Sequence, residues 1–237
     1  MTQPTNLPLF IVFDGMDGTG KTTQMRLLCD RLAAEGVETV LTAEPTDSPD
    51  GRALRRALSG KEPANNSRLA TLFLLDRIGH NAEIDGWLSA GKTVISDRYY
   101  YASMAYQGQG ENFQWVADMN LNCPHVRRPD GCILLDMAPE DSMARIHVGR
   151  SADELEIYET VAQQEKIRDR FKRVTEYLDG RDLIITVNAA GTIGEVAERV
   201  REAYEVIRAA SQKKRIAKSK TSLSQFTKDF SHFDQKE

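Results

Sequence analysis

Five short apolar segments recur along the chain, at 9–14 (LFIVFD), 37–44 (VETVLTAE), 92–97 (KTVISD), 131–137 (GCILLDM) and 182–189 (DLIITVNA). They are rich in Val, Ile and Leu and mostly continuous rather than alternating, as strands covered on both faces of a parallel sheet are. Helical spacing fills the intervals. Met25, Leu28 and Leu32 repeat at three and four after the first segment, and Leu72, Leu75 and Ile78 mark an expected inward face within 62–90. Tyr158, Val161, Ala162 and Ile167, followed by Phe171, Val174 and Leu178, set a helix within 155–178. Ile193, Val196, Ala197, Val200, Ala203, Tyr204 and Ile207 line one face of the last helix. Strand and helix alternate, which predicts one α/β domain, a five-stranded parallel sheet flanked by helices.

Directly after the first strand stands Gly15-Met16-Asp17-Gly18-Thr19-Gly20-Lys21-Thr22, followed by Thr23 and a helical pattern. This fits G-x-x-x-x-G-K-[ST] in the strand-to-helix setting that the motif requires. Three glycines let backbone N–H groups turn inward around an anion, and the new helix adds its positive end. Lys21 is placed to reach the β- and γ-phosphates, and Thr22 to offer its hydroxyl to Mg²⁺. A glycine-rich turn with a solvated lysine is the bland alternative. The context predicts a nucleoside triphosphate-binding P-loop fold.

Composition narrows the class. The 237 residues suit one core, and 31 Lys and Arg against 35 Asp and Glu leave a formal charge of -4. A general nucleic-acid-coating surface is therefore not expected for the core. Cys29, Cys123 and Cys132 form no disulfide framework, and the four histidines share no ligand spacing. No run approaches the roughly 18 apolar residues of a membrane span, and MTQPTNLP does not look like a secretion signal. A cytoplasmic location is expected. Residues 145–159 are polar and suit a mobile lid, at about 145–157. From Ser211 the composition turns basic, with seven Lys or Arg against three acids, which leaves -8 for residues 1–210. Residues 211–237 are expected to form a flexible extension beyond the 1–210 domain, with a short docking helix through Leu223, Phe226 and Phe230 as the alternative.

A guanine-reading Asn-Lys-x-Asp is missing, which argues against a GTPase. Isolated arginines and aromatics at strand ends suit a second, smaller phosphorylated substrate instead. Asp97-Arg98-Tyr99 follows the third strand, where a carboxylate faces the ligand crevice. Asp97 suits Mg²⁺, directly or through water, and Arg98 an acceptor phosphate. The alternative is an Asp97 cap and an Arg98 paired with a surface acid. Phe73 and Arg77, four apart, share a helix face and could stack on a base and donate to its carbonyl. A core phenylalanine with a solvated arginine remains open. Asp14 and Asp136 end strands and either orient metal-bound water or satisfy backbone donors.

FDGMDGTGKTT at 13–23, Glu44-Pro45, LFLLDR at 72–77, DRYYYASMAYQGQG at 97–110, PDGCILLDMAPEDSMAR at 129–145 and Glu156-Ile157-Tyr158-Glu159 together resemble the thymidylate kinase family. The resemblance spans roughly residues 7–207 and implies ATP-dependent, Mg²⁺-assisted phosphorylation of dTMP, usually by a homodimer. It implies that Asp17 bonds the sugar 3′-hydroxyl and helps hold the acceptor phosphate, that Phe73 stacks on thymine and that Arg77 donates to O4. Arg98 resembles the acceptor-phosphate arginine, and Ser103 and Gln107 sit where polar contacts to thymine are expected. Tyr106 matches the aromatic that fills the space of a 2′-hydroxyl, and Tyr158 the tyrosine that covers the monophosphate. Without the family, ordinary packing or a polar surface is the default reading of Ser103, Tyr106 and Tyr158.

There are departures. Thr46-Asp47-Ser48-Pro49 replaces the usual glycine-rich continuation after Glu-Pro. Position 18 is glycine, where one branch of the family carries an arginine. The positive partner of the transferring phosphoryl group is then expected from the lid, with Arg150 first and Arg145 behind it. A nucleotide or deoxynucleoside kinase of the same fold, or a regulatory module acting through the basic tail, are the competing readings.

Overall fold

The computed structural model describes residues 7–149 and 161–231, with side chains described throughout except at 147–149 and 218–231. The apolar runs form β1 (Phe10–Gly15), β2 (Thr39–Ala43), β3 (Thr93–Asp97), β4 (Gly131–Asp136) and β5 (Ile184–Asn188). All four pairings are parallel, in the order β2-β3-β1-β4-β5. β1 is central and buried at all six positions, which is why it lacks polar alternation. Among the described residues the helices are α1 (Lys21–Ala34), α2 (Pro49–Leu58), α3 (Asn66–Ser89), α4 (Tyr100–Tyr106), α5 (Asn112–Leu121), α6 (Pro139–Gly149), α7 (Val161–Leu178) and α8 (Ile193–Ser231).

The strand order places the site. The chain leaves β1 toward β2 on one side, and later crosses from β3 to β4 on the other. Loops after β1 and β3 therefore part at the carboxyl edge, where parallel sheets open a ligand crevice. Phe13 pairs with Asp97 there, and Gly15 with Leu135. Met25, Leu28 and Leu32 of α1 are buried against one face of the sheet, as their spacing predicts. Ile167, Phe171, Val174 and Leu178 of α7 are buried too, while Val161 is exposed.

One expectation needs correction, and two gain structural detail. The inward face of α3 carries Leu69, Ala70, Phe73, Asp76, Arg77, His80, Asn81 and Ile84, whereas Leu75 is 47% exposed. Hydrophobicity misreads this helix because its polar residues find buried partners. Next, Arg145 lies within α6, whose Met143 and Ile146 are buried, so the start of the expected lid is helical. The rest of that lid, 150–157, lies outside the described residues. Finally, the flexible extension expected from Ser211 begins as an uninterrupted continuation of α8, which runs to Ser231. No Gly or Pro occurs between Glu195 and Ser231 to stop it. Ser211 is buried and donates to Asp130 Oδ1 at 3.0 Å, while Asp130 Oδ2 accepts the Phe10 N–H at 2.9 Å.

Candidate active site

The phosphate loop turns on glycines. Gly15, Gly18 and Gly20 have φ of 132°, 75° and 90°, values that side chains resist. A Cβ on Gly15 would stand 2.3 Å from the Leu135 carbonyl oxygen of β4. Thr19 Oγ1 donates to the Met16 carbonyl at 2.9 Å and Lys21 Nζ to the same carbonyl at 2.9 Å, which closes the loop on itself. Asp14 is fully buried and accepts from the Gly15 and Ala102 N–H groups, both at 2.9 Å. It therefore satisfies backbone donors, tying the loop to α4. Burial raises its pKa to about 6, against the lowering influence of Arg98 and Lys21. Asp136 pairs instead with Arg168 through two 2.7 Å bonds.

Arg98 projects from the carboxyl end of β3. Among the described residues it is the one non-glycine with positive φ, at 69°. Its N–H donates to the Phe13 carbonyl at 2.8 Å, and its own carbonyl accepts from Ser96 Oγ at 2.9 Å. These bonds hold a conformation that costs of order 1–3 kcal/mol. The strained turn aims the guanidinium at Asp17, with which it forms a short ion pair, 4.9 Å from the Tyr106 ring centroid. Tyr106 donates to Asp17 Oδ2 at 3.3 Å. Burial alone would raise the Asp17 pKa, but the charges of Arg98 and Lys21 hold it down at about 2. Burial, reinforced by Arg98, pulls Lys21 below the usual lysine value.

Thr22 Oγ1 faces Asp97 Oδ2 at 3.4 Å. Asp97 Oδ1 is buried without a hydrogen-bond partner among the described residues. Asp17, Lys21, Thr22, Glu44, Arg55, Asp97, Arg98 and Arg145 all border one cleft of about 920 Å³. Arg145 donates to the Ala189 carbonyl at 3.2 Å, with Nη1 3.9 Å from where a Cβ on Gly20 would stand.

Arg77 is fully buried. It donates to Glu44 through Nε at 2.9 Å and through Nη2, and to Ser103 Oγ at 3.1 Å and Asn120. The other Glu44 oxygen meets His80 Nδ1 at 3.1 Å. The structure thus joins Arg77 and Ser103 directly, through a polar network within the fold. Phe73 packs in a separate small cluster with Leu54, Ala57 and Leu69. Gln107 is buried, with Oε1 unpartnered among the described residues. Arg150 and Tyr158 lie outside the described residues.

Sequence reasoning missed Arg55, one of three arginines in α2 that nothing in the local sequence sets apart. It also missed His80 and Asn120, which no motif marks. Thr192-x-x-Glu195 was a readable start signal: Thr192 N–H donates to Glu195 at 2.8 Å in a capping box that brings the α8 N-terminus to the cleft.

A cleft that holds triphosphate-cradling amides beside fixed cations is equipped to pass a phosphoryl group between two bound phosphates. The chain is a P-loop phosphotransferase. Within that class it belongs to the thymidylate kinase family, whose model matches residues 13–200. It is similar to probable thymidylate kinases of several organisms. That of Thermococcus kodakarensis is 37% identical over 78% of this chain and 93% of its own length. That of Thermococcus onnurineus is 40% identical over 71% and 84%. That of Pyrococcus horikoshii is 37% identical over 79% and 91%. No described helix is long and apolar enough to cross a membrane.

Proposed function

We propose that this chain transfers the γ-phosphoryl group of ATP to the 5′-phosphate of dTMP, giving ADP and dTDP. The observation that carries the reading is the Lys21 and Arg98 cations, both paired with Asp17, in one cleft. One cation serves a donor phosphate and the other an acceptor. The nucleophile is an oxygen of dTMP's phosphate, already ionised near neutral pH, so no general base is needed. Alignment and fixed charge carry the catalysis.

Lys21 binds the β- and γ-phosphates, with the loop amides from Gly15 to Thr23 around them. Arg98 holds the acceptor phosphate, and Asp17 fixes the guanidinium while accepting from the sugar 3′-hydroxyl. Tyr106, wedged against Asp17 and Arg98, closes the space at C2′. Arg77 and Ser103, with Gln107 nearby in sequence, serve thymine's polar edge, Phe73 its ring face, and Tyr158 covers the monophosphate. Arg150 closes over the transferring group, with Arg145 behind it, and excludes water.

The donor set fits Mg²⁺. One hydroxyl and one carboxylate with an unpartnered buried oxygen are the hard-oxygen ligands it takes alongside phosphates and waters. Among the described residues no cluster of three His, Cys, Asp or Glu offers an all-protein metal cage. Thr22 and Asp97 would hold the ion, directly or through water, and when bound it neutralises phosphate charge. A cytoplasmic homodimer completes the proposal, on the family resemblance.

The test is ADP formation with MgATP and, in parallel, dTMP, dUMP, UMP, dGMP, dCMP and thymidine. Strong preference for dTMP is expected. Best activity on another monophosphate would discard the base-pocket roles, and activity on thymidine alone would discard the Arg98 clamp.

A further inference from the structure

We infer that Asp76 is a positioning residue that sets Arg55 in the nucleotide cleft. Asp76 sits on the buried face of α3 and is 1% exposed. Among the described residues its side chain makes three hydrogen bonds, all to Thr46 and Ser48. It accepts from the Thr46 N–H at 2.9 Å, from Thr46 Oγ1, and from Ser48 Oγ at 2.9 Å. A buried carboxylate is costly unless its oxygens are satisfied, so this segment and α3 are bound to one another.

The same contacts pass to α2. Ser48 Oγ, while donating to Asp76, accepts the Gly51 N–H at 3.0 Å and caps the helix. Gly51 leaves room for the turn: a Cβ there would stand 2.0 Å from the Thr46 carbonyl oxygen and 2.9 Å from Asp76 Oδ1. Arg55 lies one turn further along α2. It donates to the Thr46 carbonyl at 2.9 Å, the Pro45 carbonyl at 2.7 Å and Asp47 Oδ1 at 2.9 Å. The loop carbonyls that Asp76 fixes are thus the ones that hold the guanidinium. These bonds use three of the five donors an arginine offers. Arg55 borders the cleft together with Lys21 and Arg98, on the side of β2 and Pro45.

An exposed arginine has many rotamers, and a fixed one loses less freedom when an anion binds. The Thr46-Asp47-Ser48-Pro49 sequence, which contains no glycine, is shaped by side-chain bonds to α3. The inference rests on the proposed reaction for its substrate, an anionic nucleotide, but the loop geometry can be read without it.

Two measurements test it together. Hydrogen exchange on the full chain reads the Thr46 and Gly51 amides, and steady-state kinetics reads KM for dTMP and for MgATP. In Asp76→Ala both amides are expected to lose protection while those of β1 and α1 keep theirs. KM for dTMP is expected to rise about tenfold or more, with KM for MgATP within about twofold. Arg55→Ala raises the same KM, and adding Asp76→Ala to it changes KM little further, because both remove one device. Asp76→Asn, which keeps an acceptor for the Thr46 N–H, is expected to fall between.

Unchanged protection, or effects of the two alanines that multiply, overturns the inference. Should Asp76→Ala not fold, Ser48→Ala removes the link to α2 together with one Asp76 bond and leaves the two to Thr46, and unchanged Gly51 exchange and dTMP KM overturn it equally. Failure of the wild-type chain to phosphorylate dTMP would remove the proposed reaction, while the exchange result would still decide the role of Asp76.

Discussion

A Cβ placed on Gly18 would stand 2.4 Å from the carbonyl oxygen of Ser142 and 2.9 Å from Ile146 Cγ1. The phosphate loop is pressed against α6, and Ser142 Oγ donates back to the Asp17 carbonyl. With φ at 75°, position 18 resists a side chain twice over, by conformation and by contact. The loop at this position is closed to a large side chain such as arginine. Gly18→Ala is expected to destabilise by about 1–3 kcal/mol, read as a lower urea midpoint with unchanged slope. A midpoint equal to wild type would mean that α6 yields freely.

Asp14 carries a pH signature. Its pKa is about 6 in the folded chain against 3.8 for an ordinary aspartate, so the native state retains a proton that the unfolded chain releases. The stabilisation linked to that proton is full below about pH 4 and is lost as pH rises through about 6, amounting to about 3 kcal/mol. Asp14→Asn removes the titration. The difference in stability between wild type and variant should therefore shift in wild type's disfavour from pH 4 to 7. Parallel stability curves over that window would show that Asp14 does not titrate there.

Tyr106 is held against Asp17 and stacks near Arg98 and, edge-on at 6.1 Å, Phe171. A ring fixed on three sides is the steric wall of the proposed reaction. UMP should therefore be a far poorer acceptor than dUMP, while dUMP, lacking one methyl of dTMP, loses only about 1–3 kcal/mol. Tyr106→Ala should narrow the dUMP-to-UMP ratio of kcat/KM by about tenfold or more, with Tyr106→Phe close to wild type. Equal efficiency of wild type on UMP and dUMP would remove the wall.

The two lid candidates separate kinetically. Arg145 is anchored in α6 to the Ala189 carbonyl beside the phosphate loop. Arg150→Ala is expected to lower kcat by about 10²-fold or more while sparing KM for dTMP, the mark of an interaction made only in the transition state. Arg145→Ala is expected to raise KM for MgATP. A change confined to dTMP binding in Arg150→Ala would reject its closing role.

Much of this protein is written in contiguous residues. The five apolar runs became the five strands: β1, β3 and β4 are buried on both faces and apolar along most of their length, whereas the edge strands β2 and β5 are only partly covered. The loop from Gly15 to Thr22 is equally legible, since tight turns, inward amides and a following helix all depend on neighbours in sequence. Asp97-Arg98 needed only its place after a strand to be set at the carboxyl edge.

Tertiary structure decided the rest, wherever a side chain's role depends on a partner far along the chain. Arg77 meets Glu44, Ser103 and Asn120, residues 33, 26 and 43 positions away, and those partners make a charged face of α3 the buried one. Asp76 grips Thr46 and Ser48 across about 30 residues, which no periodicity records. The helix through Ser211 shows the same principle: its composition turns basic, yet the backbone continues because nothing interrupts it and Asp130 holds it to β1. Local geometry is encoded by adjacent residues, whereas burial of a polar group is settled only when the fold supplies its hydrogen-bond partners.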